Sequence, residues 1–423
     1  MSIKLYTNLH CVNKNRFILS TPILFFGLLF FSLVSLTIYA WSLGLLLVGL
    51  FALLEKVQIN KKALKESFLL IVLLIFAIFR FQLFLINQVL PVFSVAFWGN
   101  ASILVLCVIA WLFLRSITLD KKNYMLIKIL PKLLWVHVIA FYVQTVIFLL
   151  SGFYLDFVEP FTGIKSRFDT FIQLPISGVG SFRPTGLLVE PSTYFFVVLV
   201  FAALIVINKD FQKNRLLLIL TIASMYLSFS TAAVIIATIF VIYLFFVQKV
   251  RLFYYSIFLI LGLGILFSSG SSIVKLYLFQ QDKFDETSDL RENLVSKVYN
   301  RDIENELFAF GPFAIDKDIA RSTTGIGNST IASINDSGMM VFLWLEFGYF
   351  GVFLFLWLCY KQSRFGVKQL ILFIIISLTK LNPFTPFFIL FWGISIRKKQ
   401  YELIDDKQLN KLKLNYYSLK KDY

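Results

Sequence analysis

Residues 17–54 read FILSTPILFFGLLFFSLVSLTIYAWSLGLLLVGLFALL, a run of 38 positions without one Asp, Glu, Lys or Arg. A helix needs about 20 residues to cross the hydrocarbon core of a bilayer, with a range of roughly 17 to 25. The run is too long for one crossing and suits two, parted near Thr37–Tyr39. A cleavable leader is not expected, because the apolar stretch continues too far and has no small-residue cleavage site. The chain is read as entering a membrane at once and turning back.

Further apolar runs follow outward from this pair. They are Phe68 to about Leu90, Asn100–Leu114, Leu133–Phe153, Pro191–Ile207, Leu216–Ser230, Ala232–Phe246, Leu252–Ser268, Gly338–Cys359, Gln369 to about Asn382, and Pro383–Ile396. The expected fold is all-α: a polytopic integral membrane protein with about twelve transmembrane helices and two large extracytoplasmic loops. Residues 1–153 hold the N-terminal transmembrane helices, 154–190 the first loop, 191–269 the central helices and 270–337 the second loop. Residues 338–396 hold the C-terminal helices, and 397–423 form a basic tail.

Composition agrees with that class. Hydrophobic residues make up 58% of the 423 positions and charged residues 15%, with a mean hydropathy of +0.80. A soluble domain needs more polar surface than this to cover its core. The net charge of +16 would suit nucleic acid, but its placement excludes that partner: the basic residues sit in short runs between apolar stretches. With the N-terminus inside, Lys56, Lys61, Lys62 and Lys65, then Arg115, Lys121, Lys122 and Lys128, then Lys209, Lys213 and Arg215 all fall in the cytoplasm. The same alternation places Lys249 and Arg251, Lys361, Arg364 and Lys368, and Arg397–Lys399 on that side. The short opposite connections around Tyr39, Val92–Gly99, Thr231 and Phe384 carry no Lys or Arg. Positive residues concentrate on cytoplasmic loops, so both termini are expected inside a bacterial cytoplasmic (inner) membrane that the chain crosses many times.

Cys11, Cys107 and Cys359 lie outside the exterior loops, so no structural disulfide is expected. His10 and His137 lie far apart, no zinc spacing exists, and neither a metal nor a cofactor is expected.

The long exterior loops carry arginines that the charge rule does not explain. The first ends in Ser181-Phe-Arg183-Pro-Thr-Gly186-Leu-Leu-Val-Glu190-Pro191-Ser192. Proline suits a first helical position, and the backbone amides of such a start favour an anion. Arg183 stands beside them on a stretch that Gly186 can bend, and a guanidinium matches phosphate oxygens in a bidentate fork. The competing reading makes Arg183 a headgroup anchor and Glu190 a partner of the helix dipole. In the second loop Leu290, Leu294, Val298, Ile303 and Leu307 fall near helical spacing, with Ser288 as N-cap and Gly311-Pro312 as a stop. An amphipathic helix on the outer face would present Arg291 near its start, with Arg301 and Arg321 as further candidates, or these charges would form a solvated face. Thr324-Gly-Ile-Gly-Asn328 then leads to Asn335-Asp336-Ser-Gly338, where Asp336 is either a base or a helix cap. Glu346 and Arg80 lie inside apolar runs, must face protein or water, and could pair. Lys380 and His137 read as interface or packing residues.

These segments, with the closing Leu345-Glu-Phe-Gly-Tyr-Phe-Gly351, resemble the O-antigen and capsular polysaccharide repeat-unit polymerases of the Wzy type. The likeness spans most of the chain: helix number, two large exterior loops, and arginines in both. It implies a metal-independent glycosyltransferase acting outside the cytoplasm on undecaprenyl-pyrophosphate-linked oligosaccharides, among membrane lipids, with a chain-length-determining membrane protein as a further partner. Arg183, Arg291, Arg301, Arg321, Glu346 and Arg80 would then meet substrate, and Asp336 or Glu190 would serve as base. The related ligases use an exterior histidine near the end of the second loop, which this chain lacks. A lipid-linked oligosaccharide flippase or transporter would show internal repeats and polar residues near the midplane of both halves.

Overall fold

The way the helices gather is decided by Pro191–Ile207. Beyond Tyr194 it reads FFVVLVFAALIVI, apolar on every side, and such a helix must be covered all round. In the computed structural model every residue from Tyr194 to Ile207 is buried. The structure describes residues 19–33, 37–88, 95–120, 122–163, 165–166, 183–208, 213–228, 230–247, 307–309 and 338–396. Among them all regular structure is helical.

The first helices are α1 (Leu19–Ser32), α2 (Thr37–Leu54), α3 (Lys61–Gln88), α4 (Val95–Leu119) and α5 (Asn123–Ser151). A single turn, α6 (Glu159–Thr162), precedes the central α7 (Pro191–Ile207). After it come α8 (Arg215–Leu227), α9 (Thr231–Phe246), α10 (Met339–Phe347), α11 (Tyr349–Ser363), α12 (Val367–Ser377) and α13 (Pro386–Ser395). Around α7 pack α5, α8, α9, α12 and α13; α4 contacts α2, α3, α5 and α13. The expected division of the first apolar run is there. A Cβ on Gly44 would lie 2.9 Å from the Gly27 carbonyl oxygen, so α1 and α2 cross with their backbones nearly touching.

Among the described residues two helices, Ala101–Leu119 and Asn123–Ser151, are long and apolar enough to cross a membrane by length and composition, and seven further apolar helices have 10–17 residues. The 13-residue α8 spans about 20 Å. Leu46, Leu53, Phe68, Ile75, Leu149, Phe246 and Phe353, from five helices, all face outward.

Several boundaries differ from the sequence expectation, each for a physical reason. Helix α4 continues past Leu114 because Arg115 is paired within the bundle: its Nε donates to Glu66 Oε2 at 2.9 Å and its Nη1 to the Gly393 carbonyl at 3.4 Å. Helix α5 starts ten residues before Leu133 and carries Pro131 inside it. The run Gly338–Cys359 is two helices, since Gly348 adopts φ +64° and ψ −149° and breaks it. Gly351 then lies so close against the Leu343 carbonyl that a Cβ would overlap it. Helix α12 ends at Ser377, and α13 waits until Pro386, where Thr385 caps it by accepting from Phe388 N at 3.1 Å. The expected run Leu252–Ser268 and the amphipathic helix from Ser288 fall outside the described residues, apart from 307–309.

The bundle has two distinct ends. At one, Arg115–Glu66 joins Lys122–Glu55 (3.2 Å), and Gln362 and Gln369 both bond Ser395. At the other meet the starts of α7 and α10 and the α12–α13 connection: Lys380 reaches Glu190, and Gly338 packs on Ser377 and Leu378.

Replacing Gly351 by Ala should destabilise the purified protein by about 2 kcal/mol or more, because the backbone at the break must shift. Gly49→Ala, whose new methyl meets only Phe113 at 4.0 Å, should leave thermal unfolding unchanged or raise it slightly. Equal melting temperatures for the two variants would contradict this account of the break.

Candidate functional site

The site is built on an amide inside an apolar helix. Gln144 of α5 is fully buried, where a polar group is costly unless every atom is bonded. Its Oε1 accepts from two successive backbone amides, Thr185 N at 2.8 Å and Gly186 N at 3.0 Å. Its Nε2 donates to Tyr154 Oη at 2.9 Å and to the Leu155 carbonyl at 2.8 Å. Tyr154 Oη also meets Ser166 Oγ at 2.8 Å and Thr185 Oγ1 at 3.0 Å. Asp156 completes the lacing. Its Oδ2 accepts from Ser166 N and Oγ, both at 2.7 Å, and its Oδ1 from Val158 N and Glu159 N.

This network fixes the turn that carries Arg183. Gly186 at its bend has φ +58°, and a Cβ there would lie 3.1 Å from the Tyr194 ring. Tyr194 is locked below by stacking on Phe141 (centroids 4.6 Å apart) and by donating to Ser224 Oγ at 2.8 Å. The turn thus rests on the first turn of α7.

Arg183 is only 8% exposed, and its Nε has no hydrogen-bond partner. Burial pulls the guanidinium down to about 10, partly offset by the nearby Glu190 carboxylate, so it stays charged at neutral pH. Glu190 Oε2 accepts from Lys380 Nζ at 2.8 Å and from Ser192 Oγ at 3.3 Å. Burial pushes the Tyr154 phenol up to about 12, with Asp156 adding to it and three hydrogen bonds opposing. Burial alone would raise Asp156, but its bonds from Ser166, Val158 and Glu159 outweigh this and hold it below the usual carboxylate value.

Of the residues expected from sequence, Arg183 and Glu190 come together at the start of α7. Glu190 does not cap the helix with its side chain: Thr193 N and Tyr194 N donate to its backbone carbonyl, while the carboxylate turns to Lys380. Lys380, expected as a packing residue, is therefore part of the site. Glu346 is buried on α10 at 8% exposure. Arg80 lies on α3, but its side chain is outside the described residues, as are Arg291, Arg301, Arg321 and Asp336 entirely. Sequence reasoning passed over Gln144, Tyr154, Asp156 and Ser166. The signal for Gln144 was present: an amide in an apolar run has to be bonded by something.

Among the described residues no group of three His, Cys, Asp or Glu side chains could hold a metal ion. No family model, curated protein or solved structure matches the chain.

Gln144→Ala should cost roughly 1–3 kcal/mol, since two buried amides lose their acceptor. Gln144→Glu should fail to restore it, because a carboxylate cannot donate to the Leu155 carbonyl; thermal unfolding in detergent reads both. A pH dependence follows from Asp156, whose pKa is lower folded than unfolded. Its contribution is complete above the ordinary value of 3.8 and is lost as pH falls through the lower folded value. Asp156→Asn should therefore melt at a lower temperature than the native protein near pH 6, with the gap closing below about pH 4. A gap that stays constant with pH would remove the carboxylate from the network's energetics.

Proposed function

We propose that this chain is a repeat-unit polymerase: a metal-independent glycosyltransferase that joins undecaprenyl-pyrophosphate-linked oligosaccharides into O-antigen or capsular polysaccharide. The observation that carries the reading is Arg183, a buried guanidinium whose Nε is unpartnered, held at the start of the central helix. A charge kept in that state is stabilised by an anion, and its fork suits phosphate oxygens. Sugar nucleotides are absent outside the cytoplasm, so a donor there must carry its own leaving group, and lipid pyrophosphate is such a group.

In this reading the helices cross a bacterial inner membrane about twelve times with both termini inside, and the outward-facing leucines and phenylalanines meet lipid. The acceptor hydroxyl oxygen forms a bond to the donor's anomeric carbon. The bond from that carbon to pyrophosphate breaks, its electron pair going to the phosphate oxygen, and the hydroxyl proton passes to a carboxylate. Asp336 is the proposed base, since it precedes Gly338, which enters beside the α12–α13 connection near Glu190 and Lys380. Glu190, already paired with Lys380, is the lesser candidate. Arg183 and the arginines of the second loop, Arg291, Arg301 and Arg321, neutralise the departing pyrophosphate. Glu346 supplies charge inside the bundle, Arg80 is a further proposed substrate contact, and a chain-length-determining membrane protein is the proposed partner.

Arg183→Ala should cut polymer by on the order of 10²-fold while single repeat units still reach the outer face. Arg183→Lys should recover only part, since it keeps charge and loses the fork. Asp336→Asn should abolish polymer at unchanged protein level, and reporters near Lys165 and Asp302 should read exterior. Normal chain length in Arg183→Ala would overturn the phosphate assignment, and failure of single units to reach the surface would favour a flippase.

A further inference from the structure

Lysines near the ends of apolar helices ordinarily reach outward to headgroups. Lys380 does not. It comes from the connection between α12 and α13, and its side chain is 20% exposed and donates to Glu190 Oε2 at 2.8 Å. Glu190 is also the carboxylate that acts on Arg183. One carboxylate is thus engaged by a lysine and lies near an arginine. The same Oε2 takes a second donor, Ser192 Oγ, so Lys380 is not its sole hydrogen bond. One guanidinium is a poor match for a pyrophosphate ester, which carries two or three negative charges.

We propose that Lys380 is the second anion-binding cation of this site, held by Glu190 while the site is empty and handed to the pyrophosphate as it binds. Glu190 is then a displaceable counter-ion and a positioning residue. This deepens the polymerase reading and rests on it for the identity of the ligand. In the reaction proposed above, the phosphate oxygen gains charge as its bond to the anomeric carbon breaks. Lys380 donates an N–H to the pyrophosphate, so its contribution is largest when the leaving group carries most charge. The Glu190 carboxylate meanwhile keeps Ser192 as donor. A purely structural pair would tie α12 to α7 and nothing more.

The two roles differ in the sign of one measurement. Purified full-length protein in nanodiscs is titrated with farnesyl pyrophosphate, and in separate arms with inorganic pyrophosphate and with phosphatidylglycerol. Lys380→Met should weaken farnesyl pyrophosphate binding about tenfold, and Lys380→Arg should retain it within about threefold. Glu190→Gln should tighten it severalfold, because the competing carboxylate is gone while the amide still fills its place. Unchanged or weaker binding by Glu190→Gln overturns the exchange, whatever its melting temperature. If Lys380→Met cannot be purified folded, the Glu190→Gln and Lys380→Arg pair decides alone. Loss of binding in Arg183→Ala with no change at Lys380 or Glu190 removes only this inference. No binding of any probe by the native protein removes the polymerase reading with it. Phosphatidylglycerol binding as tightly as farnesyl pyrophosphate assigns the site to headgroups and overturns the pyrophosphate role. Inorganic pyrophosphate should compete with the farnesyl ester, and failure to compete would place the ester by its tail and likewise overturn it.

Discussion

A helix that is apolar on its whole circumference has to be enclosed, and α7 imposes that requirement on everything else. Five helices cover it, leaving Ser192 and Thr193 of its first turn only half-buried. That end is where the chain brings polar chemistry, since nowhere along the remaining shaft does a side chain offer a hydrogen bond. Enclosure of the shaft thus leaves the first turn of α7 as the part of this helix where polar side chains gather.

What happens there follows from the cost of unbonded polar groups away from water. Gln144 could survive in α5 only by being fully engaged, and the chain engages it with the backbone of the Arg183 turn. A residue that would be a liability in an apolar helix becomes the peg on which a loop hangs. The network around Tyr154, Thr185, Ser166 and the Asp156 carboxylate is bonded throughout, whereas Arg183 retains a buried Nε without an acceptor. A saturated support thus carries an unsaturated cation, and that contrast is what motivates the proposed anion site.

The helical class, the division of residues 17–54 and the bounds of α7 were legible because long apolar runs and a Pro at the first helical position are local signals. The proximity of Arg183 and Glu190 was near at hand for the same reason, the two being seven positions apart in one loop. Lys380 was not, because its partner lies 190 positions away and nothing in a Leu-Thr-Lys-Leu stretch reports a distant carboxylate. The break at Gly348 was hidden by continuous hydrophobicity on both sides, since glycine is tolerated in apolar helices and only its φ reveals the interruption. Arg115 misled in the opposite sense: a charge marks the edge of a crossing only when it is left in water, and this one is sequestered by Glu66.

That sequestered arginine has a mechanical consequence. Arg115 fastens α3, α4 and α13 together at one end, while at the other Lys380 reaches from the α12–α13 connection across to α7. The fastened end is a fulcrum. From Arg115 back to the start of α4 at Val95 is 20 residues, a lever about 30 Å long, so a tilt of about 5° there moves its tip by about 3 Å. Such a displacement is comparable to the length of a hydrogen bond.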